Sequence, residues 1–478
     1  MQKLFIIGNG PLPIEKGIVC QTAFGLRTWQ FLSIAKDFPG EVFVVVISNP
    51  DHYKDKVLFN VPEVLRVSGK ELKMVRLKQH SASTMKHLKS HWKEFNPSVC
   101  LGVNLPSAVL LSELNPAVPF WADLNGWAMA EAQSQAYIEQ SNAYLPIIWQ
   151  KQRQVLMTAD RFSTVSQPQM YATYGELAAV GRMNSKTDGV ELVSVIPNGN
   201  ELDKLAYDTQ QSRVLQEDEK QAVSQNMPIM FDLRRKLGLS TGAFIVFFSG
   251  AYNSWLDEKM LFEGLANAMQ QNRYITFVST GGVSGVTSRT FESFRARIQQ
   301  SQFQDRFCFL GWITKEELLT CYAQVNLAIN IDRDNAETLF GARNRINEWL
   351  AYGVPVMSTV GTEVTHVLAR AGAIIPVAMG DASDLTLKIL QATDTNLRAM
   401  ALKAKEFAQQ EFAYERTLRS LRTWLQILRD SPKAKEAILE QRTGTTVMSP
   451  SRWAQLRFRV KKDGWGVIFK YLFSRTVG

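Results

Sequence analysis

Two arginines and a glutamate lie close together in the stretch GARNRINEWLAYGVPVMST, which runs from Gly341 to Thr359. The segment reads as a helix, a glycine turn and a buried strand, and a helical rotation of about 100° per residue gathers Arg345 and Glu348 on one polar face. Guanidinium groups such as that of Arg343 bind anions, and carboxylates accept hydrogen bonds from hydroxyl groups. The face is therefore either a ligand site or a solvated surface, on which an Arg345–Glu348 pair would stabilise the helix by about 0.2–0.5 kcal/mol.

A second group of chemically capable residues follows the apolar run VPFWA. It begins with the segment from Asp123 to Trp127, DLNGW, and continues to Glu131 one or two helical turns later. A carboxylate at the end of a strand can act as a general base for a hydroxyl group or can orient hydroxyl groups. Asp123 can equally be a turn or helix-capping residue with no chemical role.

Glycines follow several apolar runs. The first run leads into GNGPLPIEKG, which contains Gly10 and Lys16, and later runs end at Gly250 and Gly282. Glycine lets backbone amides approach a ligand closely, and a lysine beside such a loop can meet an anion. The GxxxxGK[ST] and GxGxxG spacings are absent, which disfavours a nucleotide triphosphatase or a dinucleotide site. Each glycine taken alone also fits an ordinary strand-to-helix turn.

The elements that must position these residues form two series of short apolar runs separated by helix-like stretches. The first series is LFIIG, VFVVVI, VCLGV and VPFWADL, and the second is FIVFFSG, YITFVSTGG, FCFLGW, VNLAINI, VPVMSTV and AIIPVA. Such runs are typical of buried parallel strands, and ligands of open α/β sheets bind beyond their carboxyl ends. We predict two facing Rossmann-like domains at 1–201 and 228–413, a polar connection at 202–227, and helices with a basic amphipathic tail at 414–478.

Composition excludes several classes of protein. The chain has 478 residues, 45% of them hydrophobic, and a formal net charge of +9, which suits two or three globular domains. Four widely spaced cysteines and five histidines without an HExxH motif give no zinc site, disulfide framework or metal hydrolase signature. No apolar run reaches about 18 residues, and the amino terminus does not have the pattern of a signal peptide. The sequence predicts a cytoplasmic protein, soluble or peripheral to the inner face of the cell membrane.

The tail from Arg452 to Arg475 combines seven basic residues with many aromatic and aliphatic ones, against the single acidic residue Asp463. This composition suits an anionic membrane surface. A helix docked on its own protein has the same composition, and a nucleic-acid contact is the least favoured alternative. The membrane interpretation is a prediction about 452–475 alone.

Three motifs in order along the chain resemble those of GT-B glycosyltransferases, in particular the large and mostly retaining glycosyltransferase family 4. The segment from Ala159 to Ser166, ADRFSTVS, resembles the family's A-D-x-x-x-x-x-S strand, and Val195 to Gly199, VIPNG, resembles its V-x-P-N-G segment. The segment from Glu348 to Val356, EWLAYGVPV, resembles its E-x-x-A-x-G-x-P-V segment. The resemblance extends over about residues 1–413.

The resemblance implies a role for each residue of the opening stretch. Glu348 matches the glutamate that accepts hydrogen bonds from the ribose of a nucleotide-sugar. Arg343, Arg345 and the amides near Gly341 would then lie closer to the diphosphate, where cations and a helix amino terminus stabilise the negative charge of the leaving group. Asp123 or Glu131 would be the general base of an inverting enzyme, or would orient sugar hydroxyls in a retaining one.

The sequence also departs from the family pattern. The position of the family's first glutamate, eight residues before the second, is occupied by Phe340, and Glu337 stands three residues earlier. The basic pair expected after Gly250 is replaced by Ala251, a loop containing Asn253, and Lys259 as the nearest lysine. We therefore include Asn253 and Lys259 among the donor-binding candidates and expect Arg343 and Arg345 to replace the basic pair.

The resemblance implies an enzyme that transfers a sugar, with retention, from a nucleotide-sugar to a glycan or a lipid-linked acceptor. No cofactor or metal ion is expected, because arginines and helix-terminal amides can supply the positive charge that the diphosphate needs. Two other functions remain open. One is a non-catalytic nucleotide-sugar-binding scaffold, suggested by the missing first glutamate, and the other is a nucleotide-sugar epimerase, which would need paired carboxylates around the sugar.

Overall fold

The computed structural model describes residues 2–54, 57–200, 231–283 and 288–442. The predicted connection at 202–227 and the basic tail at 452–475 lie outside the described residues. Within the described part, no helix is both long and apolar enough to cross a bilayer.

The first domain is built on an eight-stranded sheet in the order β3-β4-β2-β1-β5-β6-β7-β8. All neighbours in it are parallel except β3 and β4 at one edge. Its strands are β1 Lys3–Asn9, β2 Glu41–Ser48, β3 Pro62–Val67, β4 Lys70–Lys78, β5 Val99–Val103, β6 Phe120–Asp123, β7 Arg161–Thr164 and β8 Val193–Val195. Its helices are α1 Ala23–Leu32, α2 Thr84–Phe95, α3 Leu105–Leu114, α4 Ala128–Glu139, α5 Leu145–Thr158 and α6 Gln167–Ala179.

The second domain has a six-stranded parallel sheet in the order β11-β10-β9-β12-β13-β14. Its strands are β9 Phe244–Ala251, β10 Ile275–Gly282, β11 Phe307–Gly311, β12 Leu327–Asn330, β13 Val356–Thr359 and β14 Ile375–Val377. Its helices are α7 Leu233–Lys236, α8 Glu258–Gln271, α9 Ser288–Gln299, α10 Lys315–Tyr322, α11 Ala336–Phe340, α12 Asn344–Ala351, α13 Glu363–Arg370, α14 Ala382–Thr393 and α15 Arg398–Glu411.

Both sheets are covered by helices on their two faces, which is why their strands are almost continuously apolar. Strand β1 shows the pattern, since Leu4 and Ile6 face one hydrophobic core and Phe5 and Ile7 face the other. The second domain likewise has two cores, one on each side of its sheet. The prediction of two α/β domains with parallel sheets is confirmed.

The chain returns to the first domain after residue 413. Helices α16 Tyr414–Thr417, α17 Arg419–Asp430 and α18 Pro432–Arg442 follow the second domain. Trp424 of α17 packs edge-on against Trp121 of β6, with ring centroids 5.3 Å apart, and belongs to the first domain's core. The residues from 414 to 442 therefore complete the first domain, where the sequence analysis had assigned them to a separate segment.

An ion pair fastens the end of this returning segment. Arg442 binds both carboxylate oxygens of Asp160, which is fully buried, and also donates to the carbonyls of Pro116 and Val118. Asp160 itself accepts from the amide of Phe120 at 2.8 Å. These residues lie at the amino ends of β6 and β7. Arg442, the last described residue, is therefore anchored at the end of the sheet that is opposite the cleft-forming carboxyl ends of the strands.

Candidate functional site

A cavity of about 1580 Å³ lies between the carboxyl ends of the two sheets. The first domain contributes Gly10, Arg27 and Glu131 to its wall, and the second contributes Arg345 and Glu348. Strand ends of open α/β sheets are the usual place for ligands, because the loops there have free backbone groups and adjoin helix amino termini. We take this cleft as the candidate functional site.

Arg345 lies in the cleft wall on the first turn of α12. Its guanidinium donates to the carbonyl of Ala251 at 2.8 Å and lies over the ring of Phe248 at 4.3 Å. Burial lowers its pKa to about 10, an effect that Asp332 opposes. Among the described residues no carboxylate forms an ion pair with it, so this cation has room for an anionic ligand.

Arg343 is in a different position from the one that the sequence analysis predicted. Its Nε donates to Asp332 at 2.9 Å, and its two terminal nitrogens donate to the two oxygens of Glu337 at 3.0 and 2.7 Å. Two carboxylates therefore already neutralise this arginine and occupy its donors. The structure does not support a direct phosphate contact by Arg343, which instead fixes Glu337 at the cleft.

Gly341 makes the Arg343–Glu337 pair possible. A Cβ atom at this position would lie 2.5 Å from a carboxylate oxygen of Glu337 and 2.8 Å from a terminal nitrogen of Arg343. Gly341 is buried beside the ion pair, and its amide donates to the carbonyl of Glu337 at 2.7 Å. Its amide is therefore not free for the donor, contrary to the prediction.

Glu131 and Glu337 face each other across the domain interface. Burial and, to a smaller extent, the charge of Glu337 raise the pKa of Glu131, and Arg343 acts in the opposite direction; the net result is a pKa of about 7. Burial also raises the pKa of Glu337, while Arg343 opposes that shift. The cleft therefore holds a carboxyl group that titrates near neutral pH, the range in which a general acid or base is most effective.

Asp123 does not reach the cleft. It is fully buried, and its two oxygens accept from Nε and a terminal nitrogen of Arg27 at 3.0 and 2.7 Å and from the hydroxyl of Ser163 at 2.7 Å. A carboxylate held in this way cannot accept a proton from an acceptor hydroxyl. The predicted general-base role of Asp123 is not supported, and its structural effect is to position Arg27 in the cleft wall.

Glu348 lines the cleft next to groups that the sequence analysis did not identify. Burial raises its pKa, and the charge of Lys315 at the start of α10 lowers it. Trp312, whose indole is partly exposed, lines the same part of the cavity. A carboxylate, an ammonium group and an aromatic ring thus form one side of the cleft. Trp312 directly follows an apolar run that ends in glycine, which is the signal that could have indicated it.

The glycines of the second domain lie where β9 and β10 end. Gly250 and Gly281 have φ of +100° and +86°, and a Cβ on Gly281 would lie 2.3 Å from the carbonyl oxygen of Gly250. Gly281 lines the cleft together with Gly250 and the predicted Asn253. The predicted Gly282 is the next residue, and its carbonyl accepts from the amide of Tyr252 at 3.1 Å.

Two predicted lysines lie away from the cleft. Lys16 is exposed and borders a separate cavity of about 410 Å³ beside β3 and β4. Lys259 is exposed on α8 and is 3.9 Å from Glu263 of the same helix. Gly10 does line the cleft, and a Cβ there would lie 2.2 Å from the hydroxyl oxygen of Ser48. Of the predicted cations, Arg345 is therefore the one available to a ligand.

The two domains are joined beside the cleft by amide side chains, and Asn198 and Asn200 line the cavity. Asn347 of α12 donates to the carbonyl of Asn198, and Asn200 donates to the carbonyl of Asn347, each at 2.8 Å. A further contact between the domains is made by the rings of Trp127 and Phe340, which meet edge to face with centroids 4.6 Å apart. The hydrogen bonds of Asn198 and Asn200, within and directly after the VIPNG segment, fix α12 of the second domain against the end of the first.

Comparisons with known proteins identify the fold to which this two-domain arrangement belongs. Residues 264–423 match the family model described as glycosyl transferase-like. No curated protein sequence matches the chain. The structure is similar to a sucrose-phosphate synthase from Thermosynechococcus elongatus, with 16% identity, a TM-score of 0.63, and coverage of 90% of this chain and 100% of that chain. This chain has the GT-B fold.

Two further solved structures support the same GT-B assignment. One is Anabaena HepE in complex with UDP-glucose, with 13% identity, a TM-score of 0.56, and coverage of 89% and 100% of the two chains. The other is an α,α-trehalose 6-phosphate synthase from Burkholderia multivorans, with 11% identity, a TM-score of 0.58, and coverage of 91% and 98%. At these identities the likeness establishes the fold, and the family model identifies 264–423 as a glycosyl transferase-like region.

Proposed function

We propose that this GT-B protein transfers a glycosyl group from a nucleoside diphosphate sugar to an acceptor hydroxyl. The observation that carries the proposal is Arg345, a cleft-lining cation with no carboxylate partner among the described residues, beside two strand-end glycines. A partly buried cation without a counterion is costly, and a diphosphate would offset that cost. The same contact would stabilise the charge that develops as the nucleoside diphosphate departs.

The remaining cleft residues give each part of such a donor a partner. Glu348 would accept hydrogen bonds from the ribose hydroxyls, with Lys315 beside it, and the exposed indole of Trp312 would cover the base. HepE was solved with UDP-glucose, so UDP-sugars are the first donors to test. We place the sugar ring near Glu131 and Glu337, where hydroxyl groups can be oriented by two carboxyl groups.

The stereochemical course of the transfer determines which role Glu131 has. We propose retention, in line with the family 4 resemblance, with Glu131 orienting hydroxyl groups and the departing phosphate accepting the acceptor proton. Proton NMR of the first-formed product gives the anomeric configuration directly. Inversion would instead assign Glu131 as the general base.

The acceptor requirement separates transfer from a second candidate function. Glu131 and Glu337 form the kind of carboxylate pair that a nucleotide-sugar epimerase or hydrolase would use, and both line the cleft. Such an enzyme would consume or isomerise the donor with no acceptor present. We expect instead that donor turnover rises strongly when a hydroxyl-bearing acceptor is added.

Calorimetric titration with UDP-, GDP- and dTDP-sugars tests the donor site. We expect one nucleotide series to bind and Arg345→Met to weaken that binding by about tenfold or more, as for the loss of a charge-assisted hydrogen bond of about 1.5–3 kcal/mol. Glu348→Ala should weaken it by a similar factor. Lys259→Met, which removes an exposed cation outside the cleft, is the control. Equal affinity in the wild type and both cleft variants would overturn the assignment, and tight binding without transfer to any acceptor would indicate a scaffold.

A further inference from the structure

The first-domain side of the cleft carries an apolar surface that the donor site does not use. We call this surface the apolar ledge. It consists of Phe24 on α1, Leu105 and Pro106 on α3, Tyr144 directly before α5, and Ile148 in the first turn of α5. Phe24 is 39% exposed and Tyr144 is 53% exposed. Large apolar side chains grouped in this way on a cleft wall mark a binding surface more often than a chance exposure.

The fold brings the three parts of the ledge together. Asn104, which is fully buried, donates from its side chain to the carbonyl of Phe24 at 3.1 Å and so joins α1 to the start of α3. Helix α5 packs along α3, where Gln154 donates to the hydroxyl of Ser112 at 2.8 Å. These hydrogen bonds connect α1 to α3 and α3 to α5, and all five ledge residues line the same cavity.

The ledge is also uncharged. The chain segments that form it, 17–26, 104–112 and 140–150, contain no Asp, Glu, Lys or Arg. Arg27 follows the first of these segments on α1, but its guanidinium is fully buried and paired with Asp123. The opposite side of the cleft contains Arg345 and Glu348. A phosphorylated or acidic acceptor would have no counterion along the strip, whereas a hydrocarbon chain would lose no hydrogen bonds there.

We infer that the apolar ledge binds the hydrocarbon chain of a lipid-linked acceptor and directs its hydroxyl-bearing head group towards Glu131. This inference rests on the proposed transferase function, because it assigns the acceptor side of the same cleft. The ledge is continuous with the donor cavity, so one acceptor molecule can contact both. The occupant is thus an amphipathic acceptor with an uncharged apolar tail.

The test uses methyl, hexyl and octyl β-D-glucopyranosides as probes, each below its micellar concentration, on the full chain with the nucleotide-sugar that binds in the donor titration. Burial of a methylene group contributes about 0.8 kcal/mol, so the wild-type affinity for the probe should rise by about fourfold for each methylene that the ledge covers. Tyr144→Ser and Phe24→Ser should flatten this dependence on chain length. The control is Tyr171→Ser on α6, which removes a 65% exposed tyrosine outside the cavity.

Donor binding by each variant is measured in the same titrations. Unchanged donor affinity in Tyr144→Ser with a flattened chain-length series supports the ledge. An affinity for the probes that is independent of chain length in the wild type, or equal slopes in Tyr144→Ser and Tyr171→Ser, would overturn it while leaving the donor assignment intact. If the wild-type protein bound no nucleotide-sugar donor, the proposed function itself would be overturned.

Discussion

Glu131 should make the stability of this protein depend on pH. Its pKa is about 7 in the folded protein against the ordinary value of 4.5, because the carboxyl group is buried and faces Glu337. A raised pKa means that the folded state binds a proton more tightly than the unfolded state does. The stabilisation is fully present below about pH 4.5 and is lost as the pH rises through about 7.

The size of the effect follows from the two pKa values. The full difference of about 2.5 pKa units corresponds to about 3.4 kcal/mol in the free energy of unfolding, at 1.36 kcal/mol per unit. Between about pH 5.5 and about pH 8, the free energy of unfolding should decrease by about 2 kcal/mol as Glu131 loses its proton. For a cooperative unit of about 200 residues this corresponds to a decrease of about 4–8 °C in melting temperature.

The perturbation is Glu131→Gln, which keeps the shape of the side chain and removes the titration. The assay is thermal unfolding of the wild type and the variant at both pH values, without donor. Between the two pH values, the melting temperature of the variant should decrease by about 4–8 °C less than that of the wild type. The exposed Glu113→Gln on α3 serves as the control and should behave like the wild type.

The result that refutes this reasoning is an equal pH-dependent change in melting temperature for the wild type and Glu131→Gln. It would mean that Glu131 is solvated in the folded protein and does not interact with Glu337. A larger pH dependence in the variant would contradict the sign of the shift. Either outcome would also remove the basis for placing a neutral-pH acid or base at this point of the cleft.

Two further predictions follow from the anchoring of the chain end and from the charge of the donor site. Arg442→Met should lower the free energy of unfolding by about 3–5 kcal/mol, because it leaves the buried carboxylate of Asp160 without its partner. Chemical denaturation measures this, with Arg370→Met, at an exposed position on α13, as the control. A change below about 1 kcal/mol would contradict the prediction. Nucleotide-sugar binding should be unaffected by EDTA, since Arg345 supplies positive charge to the diphosphate. Binding that is lost with EDTA and restored by manganese would show the prediction to be wrong.

The sequence by itself determined the two α/β domains, strands β1, β2, β5 and β6 of the first sheet, the six strands of the second sheet and the polar face of α12. Apolar runs such as LFIIG and FIVFFSG are long enough to be buried on both faces, and helical periodicity places Arg345 and Glu348 together. Local pattern is sufficient for these features, because each depends on residues only a few positions apart. The glycines at 250 and 281–282 were found for the same reason, since each ends an apolar run.

Only the tertiary structure decided which charges are free. Asp123 meets Arg27 across 96 positions of sequence, and Arg343 meets Asp332 across 11. No local pattern therefore distinguishes these neutralised groups from Arg345, which has no carboxylate partner in the described part of the chain. For the same reason, the sequence did not predict that α17 packs on the first domain, where Trp424 contacts Trp121. Periodicity states which face of a helix is apolar or charged, but the partner that covers that face comes from a distant part of the chain.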